Sequence, residues 1–167
     1  MSHIEHKAQA PASVGCFVLT VSDTRTLATE TSGRAIADLL TGAGHAVVDR
    51  AVVRDEPREV VAAVRAAIAH DDVRAVVTTG GTGIARRDST YEALAALFEK
   101  RLDGFGELFR MLSYEAIGAS AMLSRATAGV IGGRIVFLLP GSEHAVRLAM
   151  DKLILPELGH LVRELTK

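Results

Sequence analysis

The sequence predicts an α/β fold in which a mostly parallel central sheet carries helices on both faces. Two observations predict it. Residues 14–21, "VGCFVLTV", form a near-continuous apolar run, and a strand that is apolar on both sides is buried on both, as in parallel sheets. Such runs then alternate with segments of helical periodicity, the pattern of βαβ units with right-handed crossovers.

The elements follow in order. Residues 1–13, "MSHIEHKAQAPAS", are polar and lack the apolar centre of a signal peptide. They read as a flexible N-terminal arm, and residues 14–167 as a single domain. After the first strand, "SGRAIADLLTGAGH" repeats Ile36, Leu39, Leu40 and Ala43 at helical spacing and ends at Gly42 and Gly44. "HAVVDRAVV" is a second strand, "PREVVAAVRAAIAH" a second helix with Pro57 in its first turn, and "VRAVVTT" a third strand. "STYEALAALFEK" and "GFGELFRMLSYEAIG" read as helices, and "AGVIGGRIVFLLPG" as a hairpin or a turn and strand. The last 26 residues read as helix, broken or kinked near Pro156.

Composition narrows the function. The 167 residues are 49% hydrophobic and 4% aromatic, so the core is built from Ala, Val, Leu and Ile. A net charge of −1 excludes the basic excess of a nucleic-acid-binding domain. No apolar stretch reaches the roughly 18 residues that span a bilayer, which together with the polar amino terminus implies a cytoplasmic protein. The single cysteine, Cys16, sits in the apolar run and reads as a buried thiol. No His/Cys pattern has zinc spacing, and His45, His144 and His160 read as surface or packing residues.

In open parallel sheets, ligands bind at the carboxyl ends of the strands. Four segments reach that edge: "TVSDTR", "VVRDEP", "TTGGTGIARRDST" and "LLPGSEHAV". Gly80, Gly81 and Gly83 can turn backbone N–H groups toward a phosphate or can simply make a tight strand-to-helix turn. The spacing matches neither a Walker A loop nor GxGxxG. Arg86 and Arg87 add fork-shaped donors for phosphate. Ser89 and Glu92 have capping-box spacing, which frees Asp88 for another role. A carboxylate beside a phosphate nest points to an intervening Mg²⁺. Asp55 reads equally as a helix cap or as a metal or substrate residue, and Asp23, beside Ser22, as a turn residue or a site residue.

The segments "TVSDTR", "TTGGTGIARRDST", "GFGELFRMLSYEAIGASAMLSRATAG" and "LLPGSEHAVRLAM" resemble the MoaB and MogA proteins of molybdenum cofactor biosynthesis. The same fold occurs in gephyrin and the plant G domain. The resemblance runs over residues 14–165, and "GELFRMLSYEAIG" is closest to the B-type branch. It implies a three-layer α/β/α fold and a trimeric or hexameric homo-oligomer, with other molybdenum-cofactor enzymes as further candidate partners. It also implies binding of molybdopterin, a pterin with a dithiolene and a terminal phosphate. Active members transfer AMP from Mg·ATP to that phosphate and release pyrophosphate, so Mg²⁺ and ATP are the implied cofactor and co-substrate.

By position, the resemblance makes Asp55 and Asp88 the implied catalytic, Mg²⁺-holding pair. Gly80, Gly81, Thr82 and Gly83 are the implied ligand loop. Ser124 with Arg125, and Pro140, Gly141 and Ser142, are implied to lie near the pterin. Ser22, Asp23 and Arg87 complete the expected substrate contacts. Three positions depart from the family pattern: Glu30 stands where many members have Asp, Glu143 and His144 where many have a proline-containing loop, and Ala85 where many have Pro. Two other functions fit the sequence: a family member that binds the pterin without chemistry, and a generic nucleotide- or sugar-phosphate-binding α/β domain.

Overall fold

The computed structural model describes residues 2–167. A six-stranded sheet runs in the order β2-β1-β3-β6-β5-β4. Its strands are β1 (Gly15–Val21), β2 (Ala46–Val53), β3 (Ala75–Thr79), β4 (Lys100–Arg101), β5 (Thr127–Ile131) and β6 (Arg134–Leu139). The first four strands of that order are mutually parallel; β5 and β4 are antiparallel at one edge. The hairpin between β5 and β6 turns on Gly132 and Gly133, both at positive φ, which glycine adopts without a Cβ clash.

Alternate residues of each central strand feed two apolar layers, as the period of two dictates. On one face Cys16, Val18, Val77, Ile135 and Phe137 pack against α2 (Ser32–Gly42), α5 (Asp103–Ile117), α6 (Glu143–Ala149) and α7 (Leu155–Leu165). On the other, Leu19, Val76, Val136 and Leu138 pack against α3 (Pro57–Ala69) and α4 (Thr90–Ala95). This is the expected three-layer α/β/α fold. Burial pushes the Cys16 thiol up to about 12, so it stays protonated and inert.

Several boundaries differ from the sequence reading. The amino-terminal segment, read as a loose arm, carries α1 (His3–Ala8), opened by a capping box between Ser2 and Glu5. Lys7 pairs with Glu157 of α7, and Arg163 donates to Gln9. The α4 helix is short, and the two-residue β4 follows it. A 3₁₀ segment, Gly118–Leu123, follows α5. The expected break near Pro156 is a π-helical turn, Met150–Ile154, leading directly into α7. Pro156 offers no N–H and crowds the carbonyl of Lys152 one turn earlier, so the helix widens there. Among the described residues no helix is long and apolar enough to cross a membrane.

Candidate active site

The chain goes from β1 outward to β2 and then crosses back to β3 on the other side of β1. The packed layers place α2 on one face and α3 on the other. The crevice between the carboxyl ends of β1 and β3 is therefore a topological switch point, the usual ligand position in such sheets. Three of the expected loops line the spaces there, and the fourth brings Asp55 against Gly81 of the glycine loop.

The glycine loop forms the centre. Gly80 and Gly81 have φ of +97° and +70°. The loop is pinned at both ends: Gly80 N–H donates to the Leu139 carbonyl at 3.0 Å and Thr90 N–H to the Gly81 carbonyl at 3.1 Å. A cleft of about 410 Å³ runs along it, lined by Gly80, Gly81, Thr82, Gly83, Asp88, Ser124, Pro140, Gly141 and Ser142. A smaller recess of about 230 Å³, lined by Ser22, Thr24, Arg25, Glu30 and Ser32, lies beyond Gly80 and Gly141, which border both spaces. Ser142 caps α6, accepting from Ala145 N–H at 3.2 Å, while Glu143 pairs with Arg147 along the helix. The Pro140–Gly141 turn is held by Thr79 Oγ1 on the Pro140 carbonyl, 2.8 Å, and Ser32 Oγ on the Gly141 carbonyl, 2.7 Å.

Both expected aspartates lie against this loop. Asp55 is 7% exposed. Its Oδ1 accepts from Ser89 N–H (3.2 Å), Ser89 Oγ (2.8 Å) and, at longer range, Thr90 Oγ1 (3.5 Å). A methyl group added to Gly81 would sit 2.9 Å from Asp55 Oδ2, and one added to Gly83 would sit 2.6 Å from Asp88 Oδ2. Asp88 Oδ2 accepts Ala85 N–H at 2.9 Å, and its own N–H donates to the Ala85 carbonyl, closing a tight turn. The remaining oxygens, Asp55 Oδ2 and Asp88 Oδ1, accept no hydrogen bond among the described residues.

The capping box expected at Ser89 does not form: Ser89 makes no side-chain cap bond. Its hydroxyl goes to Asp55, where an ionised acceptor makes the stronger bond, and Glu92 goes to Arg125. Arg87, expected to face a phosphate, is held on Asp23 (3.0 Å) and Glu56 (2.8 Å). That guanidinium, together with the Asp55 N–H, keeps the Asp23 carboxyl below its ordinary range. Ser22 Oγ accepts from Arg25 N–H at 3.0 Å and so turns the loop after β1. Arg125 braces the glycine loop through the carbonyls of Thr82 (3.0 Å) and Gly83 (2.5 Å). Arg86 is exposed and makes no ion pair among the described residues.

Glu30 is buried and accepts from Gly33 N–H (2.6 Å) and Thr20 Oγ1 (3.2 Å) and pairs with Arg50. It fastens the start of α2 beside the smaller recess. The sequence reading missed one wall of the main cleft: Phe109, Ser113 and Ile117 of α5, with Ala121 and Leu123 of the 3₁₀ segment. The available signal was apolar residues on two faces of α5, with Phe105 and Phe109 inside and Leu108 and Met111 outside.

Residues 17–160 match the family described as a probable molybdopterin binding domain. The chain belongs to the MoaB/MogA family of molybdenum cofactor biosynthesis proteins. Across 99% of its length this MoaB/MogA chain is 55% identical to molybdenum cofactor biosynthesis protein B of Bacillus cereus, covering 98% of that protein. It is 53% identical to the protein of the same name from Bacillus subtilis, with 100% and 99% of the two chains covered. Among solved structures, a molybdenum cofactor biosynthesis protein B superposes with a TM-score of 0.91 at 55% identity, over 95% of this chain and 99% of that one. The tungsten cofactor synthesizing protein MoaB of Pyrococcus furiosus superposes with a TM-score of 0.84 at 41% identity, over 95% and 100%.

Proposed function

We propose that this chain acts in molybdenum cofactor biosynthesis by binding molybdopterin beside the glycine loop and transferring AMP to its terminal phosphate from Mg·ATP. The observation that carries this reading is the pair Asp55 and Asp88. Each presses one carboxylate against the same loop and keeps one oxygen without a partner. Mg²⁺ is held by one or two carboxylates together with substrate phosphates, and this donor set fits that requirement. Bound there, Mg²⁺ would neutralise charge on the triphosphate.

The chain's own part is positioning and charge stabilisation, which dominate phosphoryl-type transfer. The amides of the glycine loop hold phosphate oxygens, and the Phe109, Ile117 and Leu123 wall receives the flat pterin. The pterin phosphate oxygen attacks the α-phosphorus, the bond to the β-phosphate oxygen breaks, and pyrophosphate leaves. No side chain serves as nucleophile. Incubating the protein with molybdopterin and Mg·ATP tests the proposal: adenylylated pterin and pyrophosphate form in equal amounts, and no product at high protein concentration removes the enzyme reading.

One observation favours a second reading, a pterin-binding protein without adenylyl transfer: Arg87 and Arg125 both spend their charge on carboxylates of this chain. Calorimetry showing molybdopterin binding with no measurable Mg·ATP binding would select it.

Self-association belongs to the same proposal. Leu108, Met111 and Tyr114 line one exposed stripe of α5 at 48%, 51% and 64% exposure, and Met122 beyond it is 76% exposed. A helix stripe this apolar is a contact surface, and a second copy of the chain would cover it.

A further inference from the structure

A separate recess of about 330 Å³ adjoins the main cleft at Ser124 and is lined by Tyr91, Arg101, Asp103, Arg110 and Arg125, among others. The Arg101 guanidinium lies 5.8 Å from the Tyr91 ring centroid and 5.9 Å from that of Phe98, and its Nη1 donates to the Tyr91 hydroxyl at 2.6 Å. Arg125 lies 4.9 Å from the same tyrosine ring. The aromatic ring thus fixes two cations whose flexible stems would otherwise wander.

Charge in the recess is not balanced. Arg125 is matched by Glu92. Arg101 has only Asp103, 3.9 Å away and largely in solvent. Arg110 is half-buried, donates Nη1 to the Ala126 carbonyl at 2.9 Å, and has no carboxylate partner among the described residues. Three guanidiniums line this one recess, and like charges repel one another unless an anion joins them. Arg101 and Arg110 both keep fork donors that no acceptor of the chain uses, and that fork matches tetrahedral oxyanions.

We propose that this recess binds a small, multiply charged oxyanion of the phosphate class. The site is distinct from the glycine-loop cleft, and its occupancy does not depend on adenylyl transfer taking place. The volume admits more than one phosphoryl group, so both a single phosphate and a diphosphate fit.

The test is a titration of the full chain, uniformly labelled with ¹⁵N so that both arginine Nε–H and backbone amide signals are read, in two arms: inorganic phosphate and pyrophosphate. The Nε–H signals of Arg101 and Arg110 shift saturably in at least one arm, and the tighter arm identifies the ligand as single phosphate or diphosphate. Arg110→Gln weakens that binding roughly tenfold, the size of one lost charge-assisted contact. Arg101→Gln, at an exposed position, carries the same expectation should the first variant fold poorly. Three outcomes overturn the proposal: only the Gly80 to Gly83 amides move; sodium chloride at equal ionic strength produces the same shifts; or the arginine signals stay still while Arg110→Gln changes the oligomer size, which would make a second copy the source of the missing negative charge.

Discussion

Ser89 donates both its backbone N–H and its hydroxyl to the same oxygen, Oδ1, of Asp55. One carboxylate oxygen therefore anchors the start of α4, while the other faces the glycine loop. The two oxygens can be separated by substitution. Asp55→Asn keeps an acceptor for Ser89 but loses the charge, so the fold persists and Mg²⁺-dependent pterin adenylylation collapses. Asp55→Ala also strands the Ser89 donors and lowers stability by about 1–3 kcal/mol. Urea unfolding beside the product assay separates these effects; equal turnover in Asp55→Asn would rule out the metal role.

Gly81→Val attacks the loop directly. Gly81 has φ of +70°, and a Cβ there would strike the Thr90 hydroxyl. The expected loss is about 1–3 kcal/mol from backbone strain alone, with weakened ligand binding. Unchanged thermal midpoint and unchanged pterin affinity would show that the close contact is irrelevant.

Glu30→Ala removes the buried partner of a partly buried ion pair with Arg50 and leaves the Gly33 N–H unsatisfied. Stranding that donor and losing its charged acceptor costs about 1–3 kcal/mol. A chemical denaturation midpoint within error of the parent chain would contradict this account of α2.

His45 gives a pH test. Its Nδ1 accepts Val14 N–H at 3.1 Å, so the ring is neutral in that contact, and burial lowers its pKa below the ordinary 6.5. The unfolded chain then takes up this proton first as pH falls, so stability is full above about pH 6.5 and declines through the lower folded pKa. His45→Gln should flatten that part of the stability profile. A parent profile level from pH 7 to 5 would show that the ring contributes nothing.

Met111→Glu places a charge on the exposed α5 stripe. The isolated fold tolerates it, because Met111 is already half in solvent. Light scattering should show a smaller particle than the parent chain. The same size for both would remove α5 from the self-contact.

Much of this was legible in the sequence. Strands buried on both faces announce themselves by unbroken apolar runs, and the loops that follow them must meet at one sheet edge. The glycine cluster does meet an aspartate from each of two loops there, Asp55 at Gly81 and Asp88 at Gly83. Side-chain commitments were not legible. Arg87 looks like a phosphate donor until Asp23 and Glu56, remote in sequence, are brought beside it. Ser89 and Glu92 have the right spacing for a cap, but Asp55 and Arg125 offer them charged partners, and spacing carries no information about such competition. The two-residue β4 is too short for periodicity to register, and the α5 wall of the cleft lacks a single apolar face.

Gly141 leans on Gly80, where an added methyl would come within 3.5 Å of the Gly80 Cα. The boundary between the larger and smaller chambers is thus a bare main chain, with no side chain thickening it. A group lodged in either chamber would therefore rest against the backbone of the same two glycines.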